Sequence, residues 1–323
     1  IKVNRFRVDE VREWEKFNQI FPKNSDDAKE IKKSNAKKIM ELQGPISSSL
    51  MTYLEEEYEF FDKFVFFTYL YAPTFFGLPI VEGKAYLVPF AHDETPIYFP
   101  IWDEWFKKVQ GVIFNTIEEK QFLEGRFPDI KFSGEITGLG ITKPKNYSSI
   151  EFRQKYDIYS PYMLYIGRID TGKGCDELFD YFSEFKRKNN TALKLVLIGK
   201  NIIDIPNSTD IIHLGFVDEK TKFSALEGCE FIVNSSAYES LSIVLLEAWS
   251  INKPALVNAK SEVLVGQCKR SGGGLAYRNY MEFEQYTLSL LEESYENKGL
   301  SSFVEKNYDW AVIEEKYIKS LFP

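Results

Sequence analysis

Apolar residues in the second half of the chain fall into short runs separated by amphipathic stretches. Strands are predicted at Tyr162 to Gly167, Leu193 to Gly199, Ile211 to Leu214, Glu230 to Asn234, Ala255 to Val257 and Gly274 to Tyr277, with helical patterns between most of them. Alternation of this kind implies a parallel sheet with helices on both faces, a doubly wound α/β domain. The stretch from Phe231 to Val257 shows it best. Phe231-Ile232-Val233 reads as a buried strand and is followed by a polar turn. Leu241, Val244, Leu245, Ala248 and Trp249 then recur at i, i+3, i+4, i+7 and i+8, one face of a helix. Pro254 ends that helix and the next strand begins.

The first half is less regular. Val3 to Val8 reads as a short strand, and Asp9 to Ile20 and Asp26 to Leu42 as amphipathic helices. Gly44-Pro45 breaks the pattern, and Ser47 to Phe60 resumes it. Strands are predicted at Lys63 to Tyr71, Lys84 to Phe90, Gly111 to Phe114 and Gly134 to Thr137, with helices at Trp102 to Val109 and Glu118 to Leu123. Four strands fall short of the five or six of a complete doubly wound domain. The chain also begins at Ile1 rather than Met, so about 40–80 residues of the first domain are expected upstream. The polar segment Thr142 to Ser149 reads as a linker. The expected division is a first, incomplete domain over 1–141, a second domain over 142–307, and a C-terminal helix over 308–323. That helix carries Trp310, Ile313, Tyr317 and Leu321 on one face and is expected to pack back toward the first domain.

Composition narrows the function classes. The net charge of −8 and pI near 5.2 argue against nucleic-acid binding. Three scattered cysteines, Cys175, Cys229 and Cys268, suggest neither a metal spacing nor a disulfide framework and fit a reducing compartment, so a cytoplasmic location is expected. Aromatic residues are frequent, with 27 Phe and 19 Tyr. The most apolar stretch, Phe64 to Val81, is broken by Pro73, Gly77 and Pro79, which argues against a membrane span.

Several polar residues sit where strands give way to helices. Glu239 and Glu247 are eight positions apart, roughly 12 Å if helical at about 1.5 Å per residue, on the scale of an extended nucleotide-sugar. The amides of Ser240, Leu241 and Ser242 lie between them at an expected helix N-terminus, which suits a phosphate. The plain alternative is a capping box from Ser236 to Glu239, with Glu247 a solvated helix residue. The loop from Gly167 to Gly174, GRIDTGKG, joins a strand to a helix and carries Arg168 and Lys173 among three glycines. It misses a Walker A loop, because Gly174 stands where a magnesium-binding hydroxyl is needed. Its cations either meet a phosphate or are solvated. His92 follows a strand and precedes Asp93, which could orient its ring; His213, inside a strand pattern, reads as packing. Gly272-Gly273-Gly274 opens no convincing helix, so a nicotinamide cofactor is not expected.

The spacing Glu239-x7-Glu247, ESLSIVLLE, resembles the signature of retaining nucleotide-sugar glycosyltransferases of family 4, of bacterial type and here N-terminally truncated. Gly167-Arg168 with Lys173 is similar to that family's G-R-x-x-x-x-K segment. Gly215-Phe216-Val217 is similar to its nucleoside-pocket segment, and His92-Asp93 to its first-domain histidine. The resemblance implies the GT-B fold, two Rossmann-like doubly wound domains facing across a cleft. It also implies transfer of a sugar, with retention, from a UDP- or GDP-type donor to a glycan, lipid-linked or protein acceptor, in bacterial polysaccharide or glycoconjugate synthesis. His92, Arg168, Lys173 and Glu239 are then the expected catalytic group. Asp93, Gly167, Gly215, Phe216, Ser240, Leu241, Ser242 and Glu247 are the expected donor-binding group. Neither a metal nor a cofactor is expected, and peripheral association with the inner face of a membrane stays open. Two alternatives stand beside this reading: a non-catalytic GT-B subunit that binds a partner transferase or a glycan, and another GT-B enzyme such as a nucleotide-sugar epimerase.

Overall fold

The computed structural model describes residues 2–292 and 299–322, which divide into two compact units. Unit 1 comprises residues 1–138 and 314–323, and unit 2 residues 139–313.

In chain order, unit 1 begins with helices α1 (Trp14–Ile20), α2 (Ser25–Lys29), α3 (Lys33–Gln43) and α4 (Ser48–Glu56). Strand β1 (Phe64–Phe67), helix α5 (Ala72–Gly77), strand β2 (Ala85–Val88), helix α6 (Trp102–Trp105), strand β3 (Gly111–Val112) and helix α7 (Ile117–Arg126) follow. The three strands form one parallel sheet in the order β1-β2-β3. Every residue of β2 is buried, as expected for a central parallel strand covered on both faces. Trp102, Trp105, Phe75, Phe99 and Phe106 pack around it with Ile39, Met40 and Leu78. The aromatic richness of this half is therefore largely core packing, although Phe67 and Tyr71 stay exposed.

Several expectations for this unit need correction. Residues 3–8 form no strand. The helix expected over 26–42 is two helices, α2 and α3; Asn24 caps the first, accepting from the Asp27 amide at 2.9 Å. Gly134 to Thr137 is not a strand: it contributes one parallel bridge, Phe114 to Ile136. Its backbone packs closely on β3 there: a Cβ on Gly134 would stand 1.5 Å from the Val112 carbonyl oxygen.

Unit 2 begins with helix α8 (Ser149–Tyr156). There follow β4 (Tyr162–Ile166), α9 (Cys175–Lys188), β5 (Lys194–Ile198), β6 (Ile211–His213), α10 (Glu219–Gly228), β7 (Phe231–Asn234), α11 (Ile243–Trp249), β8 (Ala255–Asn258), α12 (Glu262–Ser271), β9 (Gly274–Tyr277), α13 (Tyr280–Leu291), α14 (Leu300–Tyr308) and α15 (Trp310–Leu321). The last residues of α15 belong to unit 1. The six strands are parallel, in the order β6-β5-β4-β7-β8-β9. Two cores sandwich the sheet. Leu164, Val196, Ile232, Leu245 and Trp249 meet on one face, and Met163, Leu195, Phe182, Phe185 and Phe231 on the other. Residues adjacent along each strand thus go to opposite cores, the period of two that a pleated strand imposes.

The strand order runs outward from β4 through β5 to β6, then restarts beside β4 with β7. The connections after β4 and β7 leave the sheet in opposite directions, and the carboxyl ends of these strands are the switch point where open α/β sheets form their binding crevice. Backbone approaches there are close. A Cβ on Gly199, φ +138°, would stand 1.9 Å from the Gly167 carbonyl oxygen, and one on Gly174, φ +68°, would stand 2.4 Å from that of Ser235. Glycine is required at both places by space and by backbone angle.

Gly199→Ala is expected to lower unfolding free energy by about 1–3 kcal/mol, as strained backbone positions do. Gly125→Ala, in α7 with open space around its Cβ, is expected to raise it by about 0.5–1 kcal/mol. Urea denaturation of the two variants should give these opposite signs, and a neutral Gly199→Ala would contradict the close approach.

Candidate functional site

The loop after β4 and the loop after β7 carry seven of the residues singled out by sequence, and side-chain bonds join three of them, Arg168, Lys173 and Glu239, in one chain. Asp170 caps the turn that follows β4: its Oδ1 accepts from the Lys173 amide at 2.8 Å. Its Oδ2 accepts from Arg168 Nε. Lys173 then reaches across to the β7 loop, where its Nζ donates to Glu239 Oε1 at 2.8 Å. Ser235 Oγ fastens the same two loops by donating to the Lys173 carbonyl at 2.7 Å. A mixed line of guanidinium, carboxylate, ammonium and carboxylate therefore runs along the mouth of the crevice. Arg168 is its exposed end, and Glu239 its better buried one. Gly167, φ +158°, lets the chain leave β4 into this loop.

The β7 loop is held from within. Asn234, the last residue of β7, donates through Nδ2 to Ser242 Oγ at 3.1 Å and accepts from the Ser236 amide at 3.0 Å. Ser236 donates its hydroxyl to the Tyr238 carbonyl at 2.9 Å. The capping-box alternative is thereby removed, since the residue at the N-cap of α11 is Ser242 and α11 itself begins only at Ile243. The same fact corrects the expectation of a run of helix-terminal amides. Ser240 and Leu241 precede the helix, and the Ser242 amide is engaged by Gln267 Oε1 at 3.3 Å. Gln267 is 1% exposed and needs that bond to satisfy its buried oxygen.

Glu247 faces inward from α11 rather than into solvent. Its Oε1 accepts from Lys222 Nζ, on α10, at 2.7 Å. Its Oε2 is closed off from solvent and has no hydrogen-bond partner among the described residues. Burial pushes this carboxyl above the usual range, Lys222 opposes the rise, and Glu219 adds to it. Sequence reasoning missed Lys222. A lysine in an amphipathic helix carries no signal of its own, since its partner lies 25 residues on. Asp170 was likewise missed, although its place before Thr171-Gly172-Lys173 is that of an N-cap. Gly215 accepts the Gly199 amide at 2.8 Å through its carbonyl, and Phe216 beside it is 89% exposed. His213 is corrected from packing: it is exposed, and its Nε2 bonds the Gly199 carbonyl at 2.8 Å.

His92 and Asp93 belong to unit 1, in the turn that follows β2. Asp93 accepts from Tyr98 Oη at 2.7 Å. The carboxylate beside the His92 ring is instead Glu94, with Oε2 at 3.6 Å from Nε2. Burial raises the Glu94 carboxyl, while His92 and a 2.8 Å hydrogen bond from the fully buried Tyr69 pull it down. The backbone here is unusual for its residue types. Thr68 after β1 and Phe90 after β2 have φ of 62° and 53°, left-handed values rarely adopted by branched or bulky residues and frequent at functional loops. Glu119, on α7 and 1% exposed, clamps this region. It accepts from the amides of Ala91 at 2.7 Å and Asn115 at 2.6 Å, and from Asn115 Nδ2 at 3.0 Å.

Among the described residues, no group of three or more His, Cys, Asp or Glu side chains could hold a metal ion, and no helix is long and apolar enough to cross a membrane. A cavity of about 360 Å³ in unit 1, lined in part by Pro45, Ile46, Met51 and Phe76, contains none of the residues singled out by sequence.

Residues 148–309, half of the chain, match the model of the family described as glycosyl transferases group 1. The chain belongs to that family. The matched span covers the crevice of unit 2, from α8 to α14. Among solved structures, sucrose-phosphate synthase from Thermosynechococcus elongatus superimposes with a TM-score of 0.65 at 14% identity, over 86% of this chain and 80% of that one. A glycosyltransferase from Rickettsia africae gives 0.68 at 13%, over 84% and 80%. Anabaena HepE, solved in complex with UDP and glucose, gives 0.66 at 12%, over 85% and 81%. These likenesses show the fold, an α/β architecture of parallel sheets of the GT-B type. No curated protein matches the sequence.

Burial pushes Glu119 up to about 8 against the hydrogen bonds that pull it down. Folding raises this pKa, so the stability tied to its proton is complete below the unfolded value and is lost as pH rises toward about 8. Thermal melting from pH 4.5 to 8 should show wild type losing stability relative to Glu119→Gln as pH rises. A difference that stays flat over that window would contradict the assignment.

Proposed function

We propose that the protein transfers a sugar from a nucleoside-diphosphate sugar, of UDP or GDP type, to an acceptor with retention at the anomeric carbon. The reading is carried by one observation: Arg168, Asp170, Lys173 and Glu239 form a continuous charged line at the carboxyl ends of β4 and β7. Open α/β sheets bind their ligands at that switch point. Family membership supports a glycosyl donor over other phosphate-bearing ligands.

The chemical difficulty is the departure of a diphosphate as negative charge grows on it. Arg168 and Lys173 are the cations that would stabilise that charge, each worth about 2.7–4 kcal/mol if preorganised as oxyanion-stabilising donors are. Lys173 can do so without leaving Glu239, since an ammonium has three donors and the ion pair uses one. Glu239, steadied by Lys173, would accept from the sugar hydroxyls and orient the anomeric carbon. Glu247 would take the ribose hydroxyls, with Oε2 as the oxygen still lacking a donor. Gly215 and Phe216 would flank the base. Fixed cations can fill the role that a divalent metal plays elsewhere, so the transfer is read as metal-independent. His92 and Asp93 are assigned to the reacting end of the donor on the strength of the family pattern and of the strained turn that carries them. The acceptor is proposed to be a glycan or a lipid- or protein-borne group, in polysaccharide or glycoconjugate synthesis.

Calorimetry with UDP, GDP and their common sugar conjugates tests the division of labour. Glu247→Ala should weaken binding of the nucleoside diphosphate itself by about tenfold or more, the scale of a lost hydrogen bond to a charged group. Glu239→Ala should leave that affinity nearly intact and remove the increment contributed by the sugar. Lys173→Ala should slow transfer by about 10²–10³-fold. If neither carboxylate variant changes binding of any nucleotide-sugar that wild type binds, the reading is wrong.

A further inference from the structure

Lys222 stands out because it is a largely covered cation that the reading above does not use. Its side chain is 14% exposed and lies between two carboxylates, Glu247 at 2.7 Å and Glu219, one turn earlier on α10, at 2.9 Å. Glu219 is largely solvated, whereas Glu247 is 9% exposed by side chain. The partnership across helices is therefore with Glu247. It leaves the two oxygens of Glu247 in different states. Oε1 is taken by the lysine, and Oε2 is enclosed, with no hydrogen-bond partner among the described residues. A buried carboxylate oxygen normally has a donor. The chain supplies one lysine on one side only, and the carboxylate cannot turn to share both oxygens without breaking a charge-assisted bond.

We propose that Lys222 is a positioning residue that makes the site select ribonucleotides: by occupying Oε1 it fixes Glu247 with Oε2 as the acceptor for a hydroxyl of the ligand's ribose. This rests on the assignment of Glu247 to the ribose. A ligand lacking the 2′-hydroxyl weakens or loses that bond, and Oε2 stays enclosed without a donor, the kind of mismatch that polar sites reject strongly. Lys222 also favours the charged form of the carboxyl. Burial and the neighbouring Glu219 both favour the protonated form, and Lys222 is the group that opposes them. In its absence the carboxyl would lose the bond that fixes which oxygen faces the ligand.

The test compares affinity for UDP and GDP with affinity for 2′-deoxy-UDP and 2′-deoxy-GDP, by calorimetry, in wild type, Lys222→Met and Lys222→Arg. Wild type should prefer the ribo form of whichever nucleotide it binds by about tenfold or more. Lys222→Met should bring the ratio to within about twofold of one, and Lys222→Arg, which keeps a cation at Oε1, should retain most of it. Loss of packing alone would weaken ribo and deoxy forms together and leave their ratio in place. Should Lys222→Met not fold, the same ratio is read in Lys222→Gln. A ribo preference that survives removal of the cation overturns the proposal and spares the ribose assignment. A wild type that binds neither nucleotide, or binds both forms equally, overturns both.

Discussion

Lys173 and Glu239 come from loops 66 residues apart, and the 2.8 Å bond between them fixes the mouth of the crevice. The bond is possible only because of how the sheet is wound. β4 and β7 are neighbours although two strands separate them in sequence, so the loops after them meet at their carboxyl ends. Glycine permits the meeting. Any side chain on Gly174 would drive into the Ser235 carbonyl, and any on Gly199 into that of Gly167. The charged line from Arg168 to Glu239 is thus a consequence of strand order and of two positions where the backbone has no Cβ. Partial burial strengthens such a pair beyond what a surface contact contributes.

A second carboxylate, Glu247, is held by a second lysine, Lys222. Glu247 and Lys222 are better buried than Glu239 and Lys173, and the cost of removing one partner rises with burial. The two pairs offer a graded set of acceptors and donors, charged and accessible near β4 and enclosed near α10. Unit 1 has a separate cluster at the carboxyl end of β2, where His92, Glu94 and Tyr69 are linked and Glu119 holds the Ala91 amide.

The six strands of unit 2 were legible in sequence almost to the residue, because each is short, mostly apolar and followed by a turn with a glycine or a polar residue. Arg168, Lys173, Glu239 and Glu247 were singled out through their spacing, and the first three meet in one chain of bonds. Their partners were not singled out. Lys222 and Asp170 matter through contacts set by three-dimensional packing, and neither stands out from the polar residues around it. The helix expected to begin near Ser240 begins at Ile243, because Asn234, Ser242 and Gln267 bond with one another and hold the preceding loop out of helical geometry. In unit 1 the strands expected over 111–114 and 134–137 became a two-residue strand and a single bridge, beside which Gly134 packs directly on the Val112 backbone. Glu94, rather than Asp93, sits by the His92 ring, a choice made by the turn and invisible to adjacency in sequence.

The central claim is that these two lysine–carboxylate pairs grip one nucleotide-sugar. A crystal structure with UDP or GDP bound tests it most directly. The account predicts the diphosphate against Arg168 and Lys173, and a ribose hydroxyl donating to Glu247 Oε2 while Lys222 keeps Oε1. A nucleotide bound elsewhere on the protein, with Glu247 Oε2 still enclosed and unpartnered, would contradict it.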